Sequence, residues 1–420
     1  MDNNLDIVTG EKHNGLEVEA LNKLTADLDL HDCWRMKHGN EREYTWSRNQ
    51  PFTARRLDYV FTSASLTANV EYCEIISLAH SDHRAVEAGI SFHNFKKGPS
   101  YWKFNNSLLS DKHFLAQTNQ LLQEFRESNK NNASLNAHTK WELCKIKIKE
   151  FTISYSKAKT KMKRDKLQDL HLKLTKLEKT LAQQENPELL AEILKVKAEL
   201  EISSLAAAQG AQTRSRTKFI EQGEKNIAYF LNLEKTNAAS NTIRSITAEN
   251  GQIFTTQNDI LIQQTKFYKE LYQEDPSLQN KSDKYISDFL GQNCTVPSLE
   301  EEDRDSCEGR ITEKETAEAL KDMKNGSSPG CDGLTTEFYK TFWQYIKEML
   351  LESFERSFEV GHVSQTQKRG IITLIHKGNN LPRDSLANWR PITLLNTDYK
   401  ILAKAQARRL QYSTHKTYSK

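Results

Sequence analysis

The chain has 420 residues, of which 37% are hydrophobic and 27% charged, with 59 Lys and Arg against 56 Asp and Glu for a formal net charge of +3. One hydrophobic core stops growing near ~250–300 residues, so two or three domains are expected. A mean hydropathy of −0.72, with no apolar run near the ~18 residues of a bilayer crossing, excludes a helical membrane span, and the small net charge means that any nucleic-acid surface must arise from local clustering.

The amino-terminal "MDNNLDIVTGEKHNG" has neither the basic lead nor the apolar core of a targeting peptide, which implies a cytoplasmic or nuclear protein. Over 1–98, "RLDYVF" (56–61), "EYCEIISLA" (71–79) and "RAVEAGISF" (84–92) read as strands by alternation and β-branched content. Between them, "ALNKLTADLDLHDCW" (20–34) reads as an amphipathic helix, and "KKGPS" (96–100) closes the segment with a turn. The six cysteines, Cys33, Cys73, Cys144, Cys294, Cys307 and Cys331, form no C-x-x-C pair. That pattern points to reduced thiols rather than a disulfide framework or a structural zinc.

From 99 to 245 the composition shifts to Lys, Glu, Leu and Gln. Leu167, Leu170, Leu174, Leu177 and Leu181 alternate spacings of 3 and 4, and after Asn186-Pro187 the series Leu189, Ile193, Val196, Leu200 continues it. This predicts a long helical coiled hairpin, with a coiled-coil partner as one use of its surface. Residues 140–180 hold 13 Lys or Arg against 5 Asp or Glu. Lys157, Lys159, Lys161, Lys163 and Arg164, with Arg214, Arg216 and Lys218 further on, are either a solvated face or a phosphate-binding one.

Over 246–309, "SITAENGQIFTT" predicts a hairpin around Asn250-Gly251, followed by a helix at 257–273 and an acidic linker. In 310–420, Thr312 and Glu315 form a capping box opening a helix that Gly326 ends. A helix at 337–361, a buried-type strand "GIITLIH" (370–376) and a helix at 398–411 follow.

Two constellations carry chemistry. Ser81-Asp82-His83 places a carboxylate beside an imidazole, the pairing a metal-assisted phosphodiesterase uses, and Asp58 stands 24 positions upstream where it can orient the imidazole. The ordered set "YTW" (44–46), "RRLDYVF" (55–61) and "HSDHRAV" (80–86) resembles the carboxy-terminal half of the endonuclease/exonuclease/phosphatase family, in the variant that opens LINE-type retrotransposon polyproteins. The resemblance implies catalytic roles for Asp58, Asp82 and His83, Mg2+ at Asp82, and a phosphate contact at Thr45. In the second constellation, "SPGCDG", "TEFYK", "ITLIHK", "NWRPITLL" and "DYKILAK" resemble the amino-terminal fingers of non-LTR reverse transcriptases. Lys377 and Arg390 are then the expected phosphate contacts, and the 324–343 loop would sit against template RNA; a packed interhelical turn is the plainer reading of that loop.

The expected architecture is α+β and multidomain: a partial two-layer β-sandwich, a long helical hairpin, and a mostly helical region with reverse-transcriptase fingers strands. Neither an upstream metal-binding glutamate nor the polymerase palm aspartates are found in the chain. It therefore reads as a polyprotein fragment truncated at both ends, whose parent handled DNA and RNA with Mg2+ and which binds nucleic acid without catalysis. The alternatives are a helical interaction protein and a residual Mg2+-dependent nuclease using Asp2, Asn4, Asp58, Asp82 and His83.

Overall fold

In the first hundred residues, alternating β-branched and polar side chains produce short antiparallel strands. The computed structural model describes residues 5–8, 15–49, 52–78, 81–91, 101–130, 132, 134–181, 187–215, 242–248, 250–273, 301–378 and 380–418. Strands β1 (Ile7–Val8), β3 (Trp46–Asn49) and β4 (Phe52–Arg55) pair in the order β1-β4-β3, while β2 (Leu30–Asp32) pairs with β5 (Phe61–Ser63) and β6 (Val70–Ile76) with β7 (Ala85–Ile90). The one-turn helix α3 (Ala64–Thr67) joins β5 to β6.

Two sequence expectations change here. The single helix over 20–34 is two helices, α1 (Gly15–Asp27) and α2 (Cys33–His38), with β2 between them. Asp29 adopts a left-handed φ of 49°, which ends the first helical run, and the Asp32 carboxylate accepts from the amides of Trp34 and Arg35 to start the second. The strand expected at 56–61 is a loop until Phe61, because the amides of Leu57 and Asp58 donate to the Thr45 hydroxyl instead of to a neighbouring strand.

The leucine series folds as read into α5 (Ala137–Leu181) and α6 (Pro187–Ser215). Leu174, Ile193, Val196 and Leu200 are buried against one another, with Leu167, Leu170, Leu177 and Leu181 along the seam. Lys173 pairs with Glu192 at 2.7 Å and Lys166 with Glu199 at 3.8 Å, so partners advance in opposite directions and the helices run antiparallel. Asn186 lies outside the described residues; Pro187 stands at the first helical position, where its missing N–H costs nothing.

The chain forms two compact units, Met1–Pro99 with Ala158–Asn237 and Ser100–Lys157 with Ala238–Lys420. The second unit contains α4 (Lys112–Asn129), the first part of α5, a small hairpin of β8 (Ile246–Thr247) and β9 (Ile253–Phe254), and α7 (Gln257–Leu271). Helices α8 (Glu301–Cys307), α9 (Glu313–Lys321) and α10 (Thr336–Val360), the antiparallel pair β10 (Gly370–His376) and β11 (Trp389–Leu395), and α11 (Thr397–Tyr418) complete it. Phe104, Phe114, Trp141, Phe338, Phe342 and Ile401 lie in its core, so segments from either end of this unit's sequence share one apolar interior. The Thr312–Glu315 capping box forms, and Arg409 of α11 forks onto Glu315, holding that carboxyl down at about 2. The α9 helix stops at Lys321, short of Gly326. The β10 strand is not buried as expected: Ile372 and Ile375 remain about half exposed, since a two-stranded sheet has a face left over. No helix among the described residues is long and apolar enough to cross a membrane.

In the first unit the loop at 56–60 hangs from a buried ionic network. Arg56, 2% exposed, donates through Nε to Asp6 Oδ1 at 2.8 Å and through Nη1 to Asp32 Oδ2 at 2.5 Å. Arg35 reaches the same Asp6 oxygen at 2.6 Å, and the Tyr59 hydroxyl donates to the Arg56 carbonyl at 2.7 Å. The guanidinium lies 4.4 Å from the Tyr59 ring centroid and 5.4 Å from that of Trp34. Burial opposes the charge on Arg56, but the two carboxylates outweigh it and raise its pKa above the ordinary value, while burial raises that of the Tyr59 phenol. Arg56→Ala leaves Asp6 buried with half its compensation, a change that costs about 3–5 kcal/mol when a buried pair loses one partner. Urea denaturation should show that loss, and a variant within about 1 kcal/mol of wild type would refute the network's importance.

Candidate nucleic-acid interface

The Asp58 loop, held by Arg56 on one side and by the Thr45 hydroxyl on the other, presents its carboxylate to His83. Asp58 Oδ2 lies 2.8 Å from His83 Nδ1. With Asp58 accepting, the Nδ1 atom carries the proton and Nε2 is left to meet an incoming group. The side chains are 45% and 38% exposed, so the pair orients a ring more than it stabilises the fold. His83 forms an antiparallel bridge with Trp46, and the Arg84 amide donates to the Thr45 carbonyl at 2.6 Å, fixing the "SDHR" corner to the end of β3. Asp82 faces the same side, its Oδ2 accepting from Trp46 Nε1 at 3.2 Å. Three of the four residues singled out here, Asp58, Asp82 and His83, thus gather at one corner.

Thr45 takes a different place from the one expected. It is wholly buried, and its hydroxyl accepts from the amides of Leu57 and Asp58 at 2.8 and 3.1 Å. A buried hydroxyl that accepts from two backbone amides positions the Asp58 loop. Asp2 and Asn4 lie outside the described residues. Among the described residues no group of three or more His, Cys, Asp or Glu is placed to hold a metal ion.

An open cleft of about 670 Å3 runs past this corner, lined on one side by Trp46, Asp82, His83 and Arg84 and on the other by Glu178, Leu190 and Lys197 of the helical hairpin. Sequence reading had no means of placing the hairpin there, because the contacts span about a hundred residues. The basic run on α5 is exposed at Lys157, Lys161, Lys163 and Arg164, with Lys159 partly covered. The side chains of Arg214, Arg216 and Lys218 lie outside what the structure describes.

In the second unit Arg390 stands opposite Ile375 across the β10–β11 pair, and the Lys377 amide donates to the Asn388 carbonyl at 2.9 Å. Positions 375, 377 and 390 therefore share a face, with Lys377 and Arg390 as diagonal neighbours, both exposed. The opposite face is anchored by Leu374, packed against Ile246, Ile260 and Leu386, and by Trp389, which is 3% exposed. Of the loop expected over 324–343, residues 324–335 form a turn and the rest is the start of α10. A Cβ at Gly330 would meet Asn396 Oδ1 at 2.2 Å, and one at Gly333, whose φ is +75°, would meet the Trp102 carbonyl at 2.2 Å.

Lys145, which no motif marked, gathers the motif-bearing segments of this unit. It is 4% exposed, and its ammonium lies 2.9 Å from Asp398 Oδ2, 3.4 Å from Glu142 and 3.9 Å from Asp332. Trp141 Nε1 donates to the same Asp398 oxygen at 2.8 Å, and the Asp332 amide donates to Asn396 Oδ1 at 3.3 Å. The "SPGCDG" turn and the "NTDYK" helix start are thus drawn together around one buried cation. A lysine flanked by three acids is a signal that only the fold reveals.

The site is an open cleft with Arg84 and Lys197 in its walls and His83, paired to Asp58, in its lining. No protein-family model matches the chain. A transposon TX1 uncharacterized 149 kDa protein of Xenopus laevis is 28% identical over 394 residues, 93% of this chain. The chain spans 29% of that protein's length. The match supports the LINE-type resemblance read from the motifs.

Burial, and then the nearby Asp398 charge, push Asp332 from the ordinary 3.8 up to about 7, against the pull of Lys145. The folded state therefore keeps a proton that the unfolded state releases. This contribution to stability is fully present below about pH 4 and is lost as pH rises to about 7. Asp332→Asn, which keeps the acceptor for the Leu334 amide, should flatten the decline over that window in pH-dependent urea denaturation. Parallel wild-type and variant curves would rule out the shift.

Proposed function

We propose that the chain is a LINE-type retrotransposon-derived protein that binds nucleic acid, with one contact region on an endonuclease/exonuclease/phosphatase-like unit and a second on reverse-transcriptase-like fingers. The observation that carries the reading is the His83–Asp58 pair at 2.8 Å, beside Asp82 in an open cleft. The first unit is a partial sandwich of that nuclease type, its dyad meeting a phosphate through His83 Nε2. The second unit offers Lys377 and Arg390 on one exposed face, the geometry of two cations over successive phosphates. Between the contact regions in sequence, the exposed cations at 157–164 add charge for a phosphate backbone.

Cleavage is not part of this reading. Among the described residues no group of three or more His, Cys, Asp or Glu is placed to hold a metal ion, so the reading rests on binding alone. Fluorescence anisotropy with labelled DNA and RNA at about 50 and about 200 mM salt should give binding that weakens steeply with salt. No binding at the lower salt sinks the proposal. Plasmid nicking in Mg2+ should be equal for wild type and His83→Ala; nicking abolished by EDTA and by that substitution would make the chain a working nuclease.

A second reading, a helical interaction protein, rests on α6. Leu190, Leu194, Ile202 and Leu205 are each at least 50% exposed, and their spacing sets them on one side of the helix, away from a strict hairpin seam. A second copy packing there would make a dimer. Sedimentation velocity should then show self-association that Leu194→Glu with Ile202→Glu removes, whereas a monomer at every concentration excludes it.

A further inference from the structure

The cleft beside His83 contains a converging set of donors that the dyad does not use. Glu178, from the end of α5, points its carboxylate into them. Its Oε2 accepts from the Ser77 hydroxyl at 2.6 Å and from Arg84 Nη2 at 3.3 Å, and its Oε1 lies 3.4 Å from Lys197 Nζ. Ser77 is 2% exposed, and the side chains of Glu178, Arg84 and Lys197 are 21%, 20% and 26% exposed, so the cluster is largely withdrawn from water. All four residues line the same cleft as Asp82 and His83, and Arg84 directly follows His83 in the chain.

A hydroxyl, a guanidinium and an ammonium directed at one anion form a donor set suited to a phosphodiester as well as to a carboxylate. Glu178 comes from 94 residues beyond Arg84 and 101 beyond Ser77, so the anion reaches this nest only through the hairpin's packing. Arg84 is also 3.6 Å from Glu43. With Glu43 and Asp82 also in the lining, the cations are held among carboxylates, and the cleft's attraction for an incoming strand is reduced.

We propose that Ser77, Arg84 and Lys197 form a phosphodiester subsite adjoining the His83–Asp58 dyad, and that Glu178 is its intramolecular occupant, competing with a nucleic-acid strand. The proposal rests on the reading of this cleft as a nucleic-acid site. It makes the helical hairpin a wall of that site, contributing one cation and the anion that masks it. Glu178 is a gate on binding rather than a group that reacts.

A substitution that removes the charge but keeps an acceptor for Ser77 separates the gate from a structural prop. With the full chain and a fluorescein-labelled single-stranded oligonucleotide, Glu178→Gln should bind about three- to tenfold tighter than wild type. Its plot of log affinity against log salt should steepen by about 1–2, one increment of ~0.7 for each cation released to the strand. Adding Arg84→Gln to Glu178→Gln should remove most of the gain. Inorganic phosphate should compete with the oligonucleotide more effectively in Glu178→Gln than in wild type; phosphate binding without tighter oligonucleotide binding would make the subsite one for a free anion and overturn the assignment to a strand. Unchanged or weaker binding by Glu178→Gln, with its circular dichroism intact, also overturns it while wild-type binding leaves the broader reading standing. If neither wild type nor any variant binds at low salt, the nucleic-acid reading itself fails.

Discussion

Arg56 is the constraint on which the first unit's site depends. A guanidinium almost removed from water is tolerable only where its donors are met, and two carboxylates from distant segments meet them. Asp6 approaches from beside β1 and Asp32 from the junction of β2 and α2, so one side chain ties three stretches of sequence together. The loop that follows Arg56 inherits their fixity. Thr45 then sets the backbone of Leu57 and Asp58, and the Asp58 carboxylate arrives at hydrogen-bonding distance from His83. The exposed pair is therefore ordered by buried groups that touch no ligand.

The second unit uses the same physical device with different residues. Lys145 is buried among Asp398, Asp332 and Glu142, and it is kept charged because the three acids together outweigh its desolvation. The cost falls on Asp332, whose proton is retained well above the ordinary carboxylate range. Around this cluster the glycine turn at 330–333 approaches backbone closely enough that no other residue fits. On a separate hydrophobic anchor, Trp389 and Leu374 hold the strand pair whose outer face carries Lys377 and Arg390. Exposed cations on a rigid base lose less freedom on meeting a phosphate than the same cations on a loop.

The chain is similar to a transposon TX1 protein of Xenopus laevis, and its cleft sets an imidazole oriented by a carboxylate close to several cations. On the proposed reading, the oriented imidazole, the carboxylate beside it and the cations nearby are parts of a phosphate-handling site. The helical hairpin forms one wall of that cleft. A carboxylate from Glu178 meets the Ser77 and Arg84 donors there, so the hairpin supplies an anion to the cleft.

The sequence by itself determined the elements whose causes are local. The leucine spacing of the hairpin, the Thr312–Glu315 cap, the Asn250-Gly251 turn and the helix ending at Gly361 follow from neighbours within a few residues, and each forms. The pairing of Asp58 with His83 was legible too, through the order of the motifs around it. It failed where a distant partner competes with a local pattern. The alternation in "RLDYVF" was overruled by the Thr45 hydroxyl and the Arg56 network, and the apolar "GIITLIH" was left half exposed because its sheet ends at two strands. The roles of Arg56, Lys145 and Glu178 were decided only by tertiary structure. A charged side chain carries no periodic signal for its partner, and these partners lie 50, 253 and 101 residues away in the chain, brought within reach only when the apolar cores close.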